Sequence, residues 1–129
     1  MQLTWTERPE HGVTIVALIG SLTHDESGGA VHRFVRQQLE AGQACFLIDL
    51  AGITEVDSFG LGELVTAMAD AKAAGGLVKL LYPGMALRGL LLIISLTRTL
   101  EMFDNEAKAL CTFPPPFNQS TVRSEYFVG

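Results

Sequence analysis

Residues 46–64 read FLIDLAGITEVDSFGLGEL, and this stretch decides the fold. Its beginning, with Cys45, is a short and nearly continuous apolar run that predicts a central strand covered on both faces over residues 45–50. An acidic loop is expected next, and Ser58 stands where apolar residues begin to recur at helical spacing. A serine at a helix start can accept hydrogen bonds from exposed backbone N–H groups, so one interpretation of Ser58 is a structural cap.

The flanking sequence alternates between strand and helix patterns. Residues 3–7 and 12–20 predict a β-hairpin around a turn at residues 9–12, and residues 25–41 predict one helix. Beyond Ser58, a helix ends at Gly75 and Gly76, and residues 77–82 predict a strand. Residues 83–84 predict a turn, residues 85–96 a helix, residues 100–103 a short edge strand, and residues 106–110 a last helical turn.

The order β-β-α-β-α-β-α-β predicts an α/β fold with a mixed sheet of four to five strands and helices packed against it. A chain of 129 residues fits a single domain, which we assign to residues 1–112. Residues 113–129 include a run of prolines at 114–116 that neither a helix nor a central strand accommodates. We therefore expect a Pro-rich carboxyl-terminal tail.

Composition argues against several classes of partner. The net charge of -5 includes no basic cluster, so a direct nucleic-acid contact is not expected. Cys45 and Cys111 are too few for a disulfide framework and are predicted to be buried or reduced thiols. The amino terminus lacks a signal-peptide pattern, and the apolar run at residues 90–96 is far shorter than the roughly 20 residues of a membrane span. A cytoplasmic protein without membrane insertion is predicted.

Four parts of the chain resemble the STAS domain family of sulfate transporters and anti-sigma-factor antagonists. They are the LIDL strand at residues 47–50, the DSFGLG helix start at residues 57–62, the glycine pair at residues 75–76, and the leucine-rich run at residues 85–103. The resemblance covers about residues 13–110. It implies the STAS fold and a non-catalytic regulatory binding protein.

In the antagonist branch of the family, the serine after the aspartate is phosphorylated by a kinase that is also the anti-sigma factor. The resemblance thus implies Ser58 as phosphoacceptor, Asp57 as its electrostatic partner, and a surrounding contact surface. That surface comprises Thr23, Asp25, Glu55, Phe59, Gly60, Leu61 and Gly62. A phosphate adds a charge of about -1.5 to -2 at a helix amino terminus, where the fold tolerates it, but adds repulsion and desolvation cost for a partner. A serine phosphatase is implied as second partner, and a homodimer is compatible with the family.

The chain departs from the family pattern at two positions. Thr23 follows Gly20-Ser21-Leu22 where the family usually has an aspartate, and Asp25 is a candidate substitute one turn later. Phe59 stands where simple antagonists often have serine or threonine, and Asp57-Ser58-Phe59 resembles the scaffold STAS proteins of stress-sensing complexes. We expect Phe59 to be packed. Gly60 and Gly62 have two open interpretations, access for a partner and tight helix–sheet packing.

Other functions have weaker support in the sequence. Catalysis by Ser58 would need a nearby base, and the spacing places none of His11, His24 and His32 beside it. The Gly-x-Ser-x-Gly elbow is absent, Gly60-x-Gly62 is too short for a dinucleotide fingerprint, and no metal or cofactor is predicted. The alternatives are a STAS scaffold of a stress-sensing complex and a STAS accessory subunit of a lipid or anion transport system.

Overall fold

The computed structural model describes residues 2–94 and 100–114, and of residues 86 and 91–94 it describes the backbone only. The elements along the chain are β1 Thr4–Glu10, β2 Val13–Leu22, α1 His24–Ser27, α2 Ala30–Glu40, β3 Cys45–Val56, α3 Ser58–Ala73, β4 Leu77–Leu81, α4 Gly84–Ile94, β5 Met102–Phe103 and α5 Glu106–Cys111. The end of the third predicted helix, at residues 95–96, lies outside the described residues.

The sheet has five strands in the order β1-β2-β3-β4-β5. β1 pairs with β2 antiparallel, and the other three pairings are parallel. Each parallel pairing requires a crossover, and the helices between the strands provide it. The predicted mixed sheet and its element order are confirmed.

The amino-terminal hairpin closes more tightly than predicted. β1 continues through Pro9 to Glu10, which pairs with Val13, so only His11 and Gly12 form the turn. Both turn residues have positive φ, 53° and 84°. This left-handed geometry suits the twist of a two-residue hairpin, and the edge position of β1 tolerates a proline.

The single helix predicted for residues 25–41 is wrong. Gly28 and Gly29, with φ of 53° and 85°, divide it into the four-residue α1 and the longer α2. The buried side chains Val31, Phe34 and Val35 all belong to α2. Apolar periodicity identified the packed face of α2 correctly, but it did not show that the two glycines, with left-handed backbone, interrupt the helix.

The two faces of the sheet are covered unequally. The larger cluster lies under α2 and α3, where Phe34, Phe46 and Leu64 are buried together. The smaller cluster, on the opposite face, joins Leu47 of β3 and Ala109 of α5. Phe113, which the sequence analysis assigned to the tail, is also buried in this smaller cluster.

β3 is longer than predicted, and its length positions the candidate site. Its pairing with β4 ends at Asp49, but its pairing with β2 continues with two register shifts to Leu22 opposite Val56. The expected acidic loop is therefore mostly strand, and Glu55 lies on it. Only Asp57 separates β3 from α3, so the first residues of α3 lie beside the end of β2.

The part of the chain that the structure describes has no helix with both the length and the apolar character to cross a membrane.

Candidate functional site

The start of α3 is capped by Asp57 and not by Ser58. Asp57 has extended backbone, and its Oδ1 accepts a 2.8 Å hydrogen bond from the Gly60 N–H. Its Oδ2 accepts a second, 3.1 Å hydrogen bond from the backbone N–H of His24. The interpretation of Ser58 as the capping residue is wrong, because the residue before it already performs this role.

Ser58 is the first residue of α3 and is exposed. Within the described residues, its hydroxyl makes no hydrogen bond to another group of the protein. An exposed hydroxyl at this position lies near the positive end of the helix dipole, which favours an anionic substituent. Ser58 is thus accessible, chemically free and electrostatically suited to carry a phosphate.

The capping contacts also set the ionisation of Asp57. The hydrogen bond from the Gly60 N–H, supported by that from His24, lowers the pKa of the Asp57 carboxyl below its ordinary value, against a smaller opposing effect of burial. Hydrogen bonds to the charged form of a carboxyl stabilise that form. Asp57 therefore carries its negative charge throughout the neutral pH range, immediately beside Ser58.

An exposed aromatic pair adjoins Ser58. Phe59 is 39% exposed, and its ring meets the His24 ring edge-on with centroids 4.9 Å apart. The expectation that Phe59 is packed in the protein is wrong. The spacing along the sequence places no histidine beside Ser58, whereas in the fold the turn after β2 brings His24 to Asp57 and Phe59.

The two glycines at the start of α3 have different environments. A Cβ on Gly60 would lie 1.8 Å from the carbonyl oxygen of Leu22, whereas a Cβ on Gly62 would meet nothing within 4 Å. Gly60 therefore permits close helix–sheet packing, and Gly62 leaves an open surface. Leu61 is 2% exposed and belongs to the core, so Leu61 and the buried Gly60 are corrections to the predicted contact surface.

Thr23 and Asp25 lie at the start of α1, and Glu55 is an exposed residue near the end of β3. Thr23 caps α1, accepting from the Glu26 N–H. Asp25 points to solvent and approaches the His24 ring at 3.4 Å. Within the described residues no hydrogen bond or ion pair joins Asp25 to Asp57 or Ser58, and it is the backbone N–H of His24 that bonds to Asp57.

Two features near the site escaped the sequence analysis. A groove of about 500 Å³ lies between the end of β3 and the β4–α4 turn, with Tyr82 and the 85%-exposed Met85 among its lining residues. Glu63 and Ser27 are both buried, and their side chains are hydrogen-bonded to each other between α3 and α1. Glu63 could have been noticed as a charged residue on the apolar face of a predicted helix, but no local pattern gave its partner.

A model of the STAS domain family matches residues 5–109, and the chain belongs to this family. Its fold is similar to that of a candidate anti-sigma factor antagonist from Thermotoga maritima, with a TM-score of 0.78 and 20% identity over 84% of this chain and 93% of that one. The cell fate determinant SpoIIAA of Bacillus, in its phosphorylated form, has a TM-score of 0.65 and 18% identity over 84% and 97% of the two chains.

A sulfate transporter family protein from Wolinella succinogenes is also similar, with a TM-score of 0.63 and 19% identity over 81% of this chain and 86% of that one. At these identities the solved structures show that the fold is shared. None of the curated proteins compared with the chain matches it in sequence.

Proposed function

We propose that this chain is a non-catalytic anti-sigma-factor antagonist that binds a serine kinase, itself the anti-sigma factor, and is released when Ser58 is phosphorylated. The proposal rests on the observation that Asp57, and not Ser58, caps the start of α3. The Asp57 carboxylate accepts the hydrogen bond from the Gly60 N–H, so the exposed Ser58 hydroxyl is not needed to cap the helix. A residue in that situation can be modified without loss of the fold.

The chemistry of the switch follows from this position. The kinase would transfer the γ-phosphoryl group of ATP to Ser58 Oγ, the hydroxyl proton would pass to a base of the kinase, and ADP would leave. The phosphate would lie at the amino end of α3, whose dipole stabilises negative charge, so α3 stays folded. It would also lie between the charged Asp57 and the exposed Phe59, where burial under a partner would desolvate two anions.

The antagonist role needs no catalytic group on this chain. His24 contacts the residues on both sides of Ser58, yet in the described part of the chain no histidine nitrogen hydrogen-bonds to the Ser58 hydroxyl. The His24 ring instead packs edge-on against the Phe59 ring and lies 3.4 Å from the Asp25 carboxylate. A serine phosphatase would return Ser58 to its binding form. All of these reactions belong to a cytoplasmic setting, where ATP and the transcription machinery are found.

Intact-mass spectrometry tests the proposal directly. The protein is incubated with ATP and a serine kinase of the anti-sigma-factor class from the same genome, and we expect one addition of about 80 Da, the mass of a phosphoryl group. Ser58→Ala abolishes the addition. Thr66→Ala, which removes another exposed hydroxyl on the same helix, leaves it intact.

Binding of the kinase to the two protein forms completes the test. We expect the phosphorylated form to bind the kinase at least tenfold more weakly, because like-charge repulsion and desolvation at an interface cost more than the roughly 1.4 kcal/mol of a tenfold change. Absence of the phosphate with a kinase active on another substrate, or its presence on Ser58→Ala, contradicts the proposal.

A second candidate is a constitutive STAS scaffold of a stress-sensing complex, and the exposure of Phe59 within the Asp57-Ser58-Phe59 sequence favours it. A third is the accessory subunit of a transport system, in line with the similar fold of the Wolinella sulfate transporter family protein. A stable complex that forms without any phosphate on Ser58 would support the scaffold. Co-purification with a membrane transport complex would support the third candidate.

A further inference from the structure

The buried carboxylate of Glu63 joins three helices. Glu63 lies on α3, is only 5% exposed, and one of its oxygens accepts a 3.1 Å hydrogen bond from the Val31 N–H at the start of α2. Its other oxygen is hydrogen-bonded to the hydroxyl of Ser27, the last residue of α1. A carboxylate in the interior is costly unless such donors satisfy it. Each oxygen of the buried Glu63 carboxylate therefore has a hydrogen-bond donor.

Glu63 also supplies what the start of α2 lacks. The N-cap residue of α2 is Gly29, which has no side chain to accept from the first N–H groups. A helix end buried without an acceptor is destabilising, and a carboxylate is the strongest partner for it. Glu63 provides this cap from a different helix and so ties the start of α2 to α3.

α1 is fastened to α3 at both ends as a result. At its beginning, the His24 N–H donates to Asp57, and at its end Ser27 bonds to Glu63. The two ties are separate in sequence, since Asp57 precedes α3 and Glu63 lies inside it. α1 is therefore held as a rigid neighbour of Ser58, with the His24 ring against Phe59.

The charged residues at α1 and at the start of α3 indicate which kind of partner surface would bind there. No lysine or arginine occurs in residues 9–32 or 37–71, but Arg33 of α2 donates a 2.8 Å hydrogen bond to the Gly28 carbonyl at the end of α1. The aromatic pair of Phe59 and His24 lies beside Ser58, and the exposed acid Asp25 lies outward on α1. Interfaces commonly have an apolar centre and a polar rim, so a basic group on the rim of the partner matches the Asp25 end of α1.

We propose that Glu63 is the positioning residue that holds together the two halves of the expected contact surface, the start of α3 and α1. The partner has an apolar pocket for Phe59 and lysine or arginine side chains opposite α1. The inference rests on the proposed function, because the same kinase is the partner. It assigns to Glu63 a role without contact to the partner or to Ser58.

Charge reversal on α1 tests the second half of the surface. Kinase affinity is measured by calorimetry for Asp25→Lys and for Glu40→Lys, an equal change at the exposed end of α2. We expect Asp25→Lys to weaken binding about fivefold at low salt, and less at high salt, because the charges at the rim are screened. Glu40→Lys should leave the affinity unchanged. Equal affinities for the two variants would overturn the role of α1, while phosphorylation of Ser58 in the same protein would leave the proposed function standing.

The positioning role of Glu63 is tested with Glu63→Leu and Glu63→Gln. Leucine fills the space but accepts no hydrogen bond, whereas glutamine can still accept from Val31 and donate to Ser27. We expect Glu63→Leu to weaken kinase binding about tenfold, an ordinary size for coupling between sites, and Glu63→Gln to restore most of the affinity.

Amide hydrogen exchange separates positioning from general destabilisation. In Glu63→Leu the His24 and Val31 amides should exchange at least about tenfold faster, since their local structure opens, while the Ile48 amide in the central strand stays protected. Unchanged affinity in Glu63→Leu would overturn the proposal. So would acceleration of the Ile48 amide equal to that of His24, because the loss would then be one of stability alone.

Discussion

The starts of α2 and α3 solve the same problem in opposite ways. α3 is capped locally by Asp57, the residue directly before it, through the hydrogen bond to Gly60. α2 follows Gly29, has no side-chain cap of its own, and takes its acceptor from Glu63 on α3. A local cap survives changes elsewhere in the protein, whereas a cap from another helix links the two helices. The locally capped helix start carries the free Ser58, and the linked one sets the position of α1 beside it.

The largest expected effect is at the close approach of α3 to β2. Gly60→Ala would place a Cβ 1.8 Å from the Leu22 carbonyl oxygen, so α3 must move away from the sheet, and we expect a loss of about 3 kcal/mol or more in the free energy of unfolding. Gly62→Ala has open space and should instead stabilise the helix by about 0.5–1 kcal/mol. Urea denaturation of both variants measures the difference. Equal effects at the two glycines would mean that α3 does not approach β2 as closely as described.

Removing the cap that Glu63 provides to α2 should lower the free energy of unfolding more than removing the Asp57 cap of α3. Glu63→Ala leaves the Val31 N–H and the Ser27 hydroxyl without their buried acceptor, and we expect a loss of about 2 kcal/mol in the free energy of unfolding. Glu55→Ala, at an exposed position on β3, serves as control and should change stability by less than about 0.5 kcal/mol. Chemical denaturation monitored by circular dichroism gives both values. A loss of stability for Glu63→Ala as small as that of the control would mean that Glu63 does not stabilise the start of α2.

The local cap of α3 should be worth less and should depend on pH. Asp57→Ala is expected to cost about 1 kcal/mol at neutral pH, the usual value of an N-cap, and Asp57→Asn less because asparagine also caps. Since the folded pKa of Asp57 is lowered, its charged form stabilises the protein fully above its unfolded pKa of about 3.9.

This contribution should be lost as the pH falls through the lower, folded pKa. The advantage of the wild type over Asp57→Asn in unfolding free energy should therefore shrink below about pH 4. Denaturation curves at several pH values test this sign. An advantage that grows on acidification would contradict the capping role of the ionised carboxylate.

Local patterns predicted most elements because they report which face of a segment is buried. The apolar run from Cys45, the helical spacing after Ser58 and the glycines at 75–76 each marked an element that the structure contains. The boundaries that failed depended on contacts between segments. β3 continues to Val56 because β2 pairs with it there, and that partner cannot be read from residues 51–56 alone.

The candidate site shows the same division. Ser58 and Asp57 could be singled out from the motif, and the structure describes both at the helix start. The histidine beside them could not, because His24 is 34 positions earlier than Ser58 and reaches the site through the pairing of β2 with β3. Phe59 also looked like an ordinary packed aromatic, since the apolar period of a helix does not show where its first turn projects beyond the sheet.

By itself the sequence determined the α/β class, the order of the elements and the serine at the start of α3, because periodicity, glycines and capping residues act over a few neighbouring positions. Only the tertiary structure decided that Asp57 caps the helix while Ser58 stays free, that Gly60 is packed while Gly62 is open, and that Glu63 supports α1 and α2. The physical reason is that a hydrogen bond or a close contact between distant segments depends on where the backbone brings them together.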